Sequence, residues 1–116
     1  MNHKITHIDD ISVVTLEEKR LDANISGLVK GEFGNLVRNL NVRKMVIDLT
    51  AVESCDSSGL STLLVANRLV GGVHGGLRIV CPSQKILTLI KITQLDRVLH
   101  LSGSVDEAVQ DLKSIH

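Results

Sequence analysis

Aromatic residues are almost missing from this chain: among 116 residues Phe33 is the only one, with no Trp or Tyr. A core built from this sequence must therefore be aliphatic, and the stacking platforms that grip single-stranded nucleic acid or sugars are excluded. Charge of one sign is missing as well. Thirteen basic and thirteen acidic residues cancel to a formal net charge of zero, so there is no basic stripe for a phosphate backbone, and direct nucleic-acid binding is not expected. No apolar run approaches the ~20 residues of a membrane helix, so no membrane span is expected. The opening Met1-Asn2-His3-Lys4 lacks the charged-then-apolar layout of an export signal, which points to the cytoplasm. Only Cys55 and Cys81 are present; they form no C-x-x-C pair and are expected to be small buried hydrophobes. His3, His7, His74, His100 and His116 are scattered without metal-ligand spacing, so neither a metal nor another cofactor is expected.

What is present is 43% hydrophobic against 22% charged residues, a balance that folds rather than stays disordered. The length fits one domain over residues 1–116. Lys4 to Ile8 and Ile11 to Leu16 are short, β-branched segments, and Asp9-Asp10 between them predicts a tight hairpin. Ile25, Leu28, Val29, Leu36, Val37 and Leu40 recur at helical spacing, with Asp22 or Asn24 as the expected cap. Met45 to Leu49 is apolar on both faces, as in the centre of a parallel sheet.

Asp56, Ser57 and Ser58 offer caps for a helix from Leu60 to Val70, which Gly71-Gly72 should end. Leu77 to Val80 predicts a strand, and Pro82-Ser83 opens a helix to about Ile92. Val98 to Leu101 predicts a last strand, and Ser104 with Glu107 forms a capping box for a helix lined by Val105, Ala108, Val109 and Leu112. Two strands followed by alternating helices and strands imply an α/β fold: a mixed β-sheet with helices packed mainly on one face. Its N-terminal edge strand is compatible with a homodimer.

The distinctive stretch is Ile47-Asp48-Leu49-Thr50-Ala51-Val52-Glu53-Ser54-Cys55-Asp56-Ser57-Ser58-Gly59-Leu60. A buried strand runs into a short loop, and Asp-Ser-Ser-Gly opens an apolar helix. This resembles the signature of the STAS family, and of its anti-sigma factor antagonists in particular. Leu21-Asp22-Ala23, Gly75 to Val80 and Ile90 to Asp96 resemble further family elements in the same order. The resemblance spans about residues 5–112.

The resemblance implies a single STAS domain with no catalytic machinery. Its phosphorylatable serine maps onto Ser57, its nearby acidic residues onto Asp22 and Asp56, and its neighbouring hydroxyl onto Ser58. It implies a partner that is an anti-sigma factor with serine kinase activity, release of a sigma factor, and a serine phosphatase that resets the switch. It also leaves open a constitutive, unphosphorylated scaffold within a transporter or signalling complex. The family pattern has a glycine where Lys19 stands and a bulkier apolar residue where Cys55 stands. Gly59 belongs to the same motif, and Ser58, Ser61, Thr62, Val65 and Leu69 share one helical face, expected to meet the partner.

The competing chemistries are weak. Gly71-Gly72-Val73-His74-Gly75-Gly76 lacks the Lys-Ser/Thr of a phosphate-binding loop. Ser57 has no G-x-S-x-G elbow and no assignable histidine base.

Overall fold

A computed structural model describes residues 1–115; His116, one of the five histidines above, lies outside the described residues. Strands β1 (His3–Ile8) and β2 (Ile11–Leu16) form an antiparallel hairpin in full register from His3 opposite Leu16 to Ile8 opposite Ile11. The turn is Asp9-Asp10 as expected, with Asp9 at φ 54°, a left-handed conformation that Asp tolerates better than most residues. A two-residue strand β3 (Arg20–Leu21) follows, then helix α1 (Ser26–Arg38), strand β4 (Lys44–Asp48), another two-residue strand β5 (Ser54–Cys55) and helix α2 (Ser57–Gly72). The chain continues through β6 (Gly76–Val80), α3 (Gln84–Ile92), a 3-10 turn over Leu95–Arg97, β7 (Leu101–Ser102) and α4 (Val105–Lys113).

The main sheet has the order β1-β2-β4-β6-β7. Only the hairpin is antiparallel; β2, β4, β6 and β7 pair in parallel. The central position of β4 explains its unbroken apolar sequence. Met45, Ile47 and Leu49 join the large core under α1, α2 and α3, while Val46 joins Ile11, Val13 and Val80 beneath α4. Three helices thus cover one face and one short helix covers the other. The single aromatic, Phe33, is fully buried in the larger core among aliphatic neighbours; burying each side chain of this size contributes ~1.5–3 kcal/mol.

Four expectations are corrected. Neither Asp22 nor Asn24 caps α1: Ile25 is the N-cap residue and makes no side-chain cap. Asp22 turns back locally instead, its Oδ1 accepting the Asn24 N–H at 3.0 Å. Leu28 and Leu40, expected in the apolar stripe, are each 59% exposed: Leu28 lies off the buried face of α1, and Leu40 lies past its C-cap Asn39. Gly71-Gly72 is the last part of α2 rather than its stop, and His74 makes the left-handed reversal at φ 55°. The last strand begins at Leu101, not Val98. Gln94, left-handed at φ 61°, starts a turn whose Leu95 carbonyl accepts both the Val98 and Leu99 N–H groups, so the chain is coiled there and Val98 is 49% exposed.

Ser104 caps α4 as expected, while the reciprocal Glu107 contact reaches the Gly103 N–H and not the Ser104 N–H of a strict capping box. Ser104 Oγ accepts from the Glu107 N–H at 3.1 Å, and Glu107 Oε2 accepts from the Gly103 N–H at 3.1 Å.

Candidate functional site

β3 and β5 form a parallel ribbon of two residues each, with Arg20 beside Ser54 and Leu21 beside Cys55. Its length is too short to leave any periodicity in the sequence. The Lys19 carbonyl extends the pairing by accepting the Glu53 and Ser54 N–H groups at 2.8 and 3.1 Å. Leu21, fully buried, anchors the ribbon in the core. The Leu21 carbonyl accepts the Asp56 N–H at 3.3 Å. This ribbon brings the Leu21-Asp22 segment alongside Cys55-Asp56, more than thirty residues further along the chain.

Helix α2 starts where the ribbon ends. Asp56 is its N-cap, extended at φ −106°, ψ −173°, and its Oδ1 accepts the Gly59 N–H at 2.9 Å. That satisfies one of the donors a helix start leaves open. Gly59 has a second reason to be glycine: a Cβ there would overlap the Leu21 carbonyl oxygen and approach Cys55 Sγ to 2.5 Å. The Asp-Ser-Ser-Gly string therefore combines a cap at its first residue with a close backbone approach at its last. Between them Ser57 is exposed and Ser58 half-buried.

The expected partner face is divided by the fold. Ser58, Ser61, Val65 and Leu69 are half-buried and reach the surface. Thr62 is buried, which corrects its place on the expected contact face, and Gly59 of the motif is buried as well. Thr62 is 0% exposed, and its Oγ1 donates to the Gly59 carbonyl at 2.6 Å, so both residues shape the start of α2 from inside. Asp22 is half-buried and Asp56 exposed. Leu21 enters the sequence reading only as part of the Leu21-Asp22-Ala23 element; what sequence does not reveal is that its carbonyl accepts the Asp56 N–H and lies where a side chain on residue 59 would have to go.

Cys55 is half-buried and Cys81 buried, both as free thiols. Burial, then the charge of Asp56, then Cys81, push the Cys55 thiol up from its ordinary 9.0 to about 12. Burial also raises the Cys81 thiol, partly offset by a hydrogen bond to the Ser83 backbone. Both are protonated packing groups at neutral pH and poor nucleophiles.

Surface cavities of about 510, 400 and 410 Å³ are lined by α4 with β7, by the α2–β6 junction, and by the β1–β2 turn with Asn41; Ser57 lines none of them. Among the described residues no cluster of three or more His, Cys, Asp or Glu is placed to hold a metal ion. No helix among the described residues is long and apolar enough to cross a membrane. Ser57 presents an exposed hydroxyl at a capped helix start.

A family model described as STAS domain matches residues 2–108. An anti-sigma factor antagonist homologue from Thermotoga neapolitana is 26% identical over 106 residues, covering 91% of this chain and 93% of the relative. The crystal structure of an anti-sigma factor antagonist from Mycobacterium paratuberculosis superposes with a TM-score of 0.88 at 25% identity, over 97% of this chain and 94% of that one. The Bacillus cell fate determinant SpoIIAA in its phosphorylated form shares the fold at a TM-score of 0.72 and 16% identity, over 95% and 98% of the two chains.

Proposed function

The chain belongs to the STAS domain family, and on that premise we propose that it is an anti-sigma factor antagonist switched off by phosphorylation of Ser57. In the unphosphorylated state it binds an anti-sigma factor that is also a serine kinase, and so frees a sigma factor in the cytoplasm. The kinase supplies ATP and Mg²⁺; this chain supplies only the acceptor hydroxyl and the docking surface. A serine phosphatase restores the binding form. The observation that carries the reading is the exposure of Ser57 at the first position of α2, directly after the Asp56 cap.

The physics of that position favours a switch over a denaturing modification. A phosphate at a helix start meets open backbone N–H groups and the positive end of the helix dipole, so the fold tolerates it. The same phosphate adds about −1.5 to −2 charges beside Asp56 and Asp22. A partner seated against a neutral hydroxyl would then meet repulsion and a desolvation cost. Ser58, Ser61 and Val65 would continue the docking surface along α2, while Gly59 and Thr62 support it from beneath.

The test pairs mass mapping with binding. Protein isolated from its own cells should carry phosphate on Ser57, and Ser57→Asp should keep the wild-type melting temperature while losing affinity for the cognate kinase. Equal affinity of Ser57→Asp and wild type would overturn the switch. An unmodified mass under every growth condition would instead assign the chain to a constitutive scaffold.

A further inference from the structure

We propose that Arg20 is the cation that receives the phosphate once Ser57 carries it, a positioning residue for the modified state. The proposal rests on the phosphoacceptor reading of Ser57. Successive side chains of a strand point to opposite sides; Leu21 is fully buried, so Arg20, which is exposed, stands on the solvent side of the ribbon.

Arg20 lies beside Ser54 across β3–β5, and adjacent strands are only about 4.8 Å apart. The next residue, Leu21, touches the first turn of α2 through its carbonyl. A long arginine side chain at this place is therefore one strand-width from the segment that leads into Ser57. Its guanidinium enters none of the ion pairs found among the described residues.

The charges around it make the assignment specific. Asp56 caps the helix start itself, and Asp22 and Glu53 lie on the segments next to the ribbon that carries Lys19 and Arg20. A phosphoserine directly after the Asp56 carboxylate would resist its second ionisation unless a cation met it. Lys19 is also exposed but sits one residue further from Leu21 and from the first turn of α2. Arg20 offers a planar fork of donors that matches phosphate oxygens two at a time.

The test incorporates phosphoserine at position 57 by directed synthesis, so that it does not depend on any kinase. The phosphate is titrated by ³¹P NMR in the otherwise wild-type chain and with Arg20→Ala, Arg20→Lys or Lys19→Ala. Arg20→Ala should raise the second phosphate pKa by about half a unit, the size of one close charge pair screened by water. Arg20→Lys should recover part of that shift, and Lys19→Ala should move it less than Arg20→Ala. Identical titrations for wild type and Arg20→Ala would overturn the assignment, as would an equal shift from Lys19→Ala, which would mean a diffuse field rather than a contact. Phosphate mapping in cells decides the Ser57 reading separately, so the two failures are distinguishable.

Discussion

Replacing Gly59 by alanine tests the construction of the site directly. In an ordinary helix the change would stabilise by about 1 kcal/mol, because alanine gives up less backbone freedom. Here the added Cβ overlaps the Leu21 carbonyl oxygen and sits 2.5 Å from Cys55 Sγ. The carbonyl is backbone, tied to Asp56 N–H and to a fully buried side chain, so it cannot swing aside as a flexible side chain would. Overpacking of this kind costs about 3 kcal/mol at the upper end of its usual range, leaving a net loss of about 2 kcal/mol after the propensity gain.

With an unfolding entropy of about 2.1 cal/mol/K per residue over 116 residues, 1 kcal/mol corresponds to about 4 °C. Gly59→Ala should therefore melt about 8 °C below wild type. Gly31, in the middle of α1 with nothing within 4 Å of its would-be Cβ, is the matched control and should gain about 4 °C as alanine. Thermal and urea unfolding of the three proteins gives the comparison. If Gly59→Ala were as stable as Gly31→Ala, the close approach of β3 to α2 would be refuted, and with it the account of why the motif ends in glycine.

Asp56→Ala removes the cap on the Gly59 N–H and should cost about 1 kcal/mol in urea unfolding, while Asp56→Asn should restore most of it. Phe33→Ala leaves a void in the larger core and should cost about 3–5 kcal/mol, enough to threaten folding at 37 °C. The raised Cys55 thiol ties stability to alkaline pH. Between its ordinary 9.0 and about 12 the unfolded chain gives up the thiol proton and the folded chain keeps it, so this stabilisation is complete below about 9 and is lost as pH rises through that window. Urea midpoints measured from pH 8 to 11 should fall less steeply for Cys55→Ala than for wild type; parallel curves would contradict the assignment.

The elements with long, regular patterns were legible in the sequence because their burial is one-sided or complete along a continuous run. The Asp9-Asp10 hairpin, the two-faced apolar strand Met45 to Leu49, a cap within Asp56-Ser57-Ser58 and the Ser104 cap all depend on residues within a few positions of one another, and the structure bears each of them out, with Asp56 as the cap of the three. The single aromatic went to the centre of the core for the same local reason: it lies on the buried side of α1. The motif around Ser57 could likewise be recognised as a helix start.

Tertiary packing decided what depended on distant segments. The β3–β5 ribbon has two residues per strand and joins Leu21 to Cys55, so no window of sequence contains it; it also supplies the reason for Gly59. Whether Thr62 and Leu28 face protein or water depended on how α2 and α1 pack, and the two came out opposite to the expectation. Val98 and Asp22 were claimed by turns whose partners, the Leu95 carbonyl and the Asn24 N–H, compete with strand and cap on equal local terms. Periodicity can place a residue on a face, but only the neighbouring elements determine whether that face is covered.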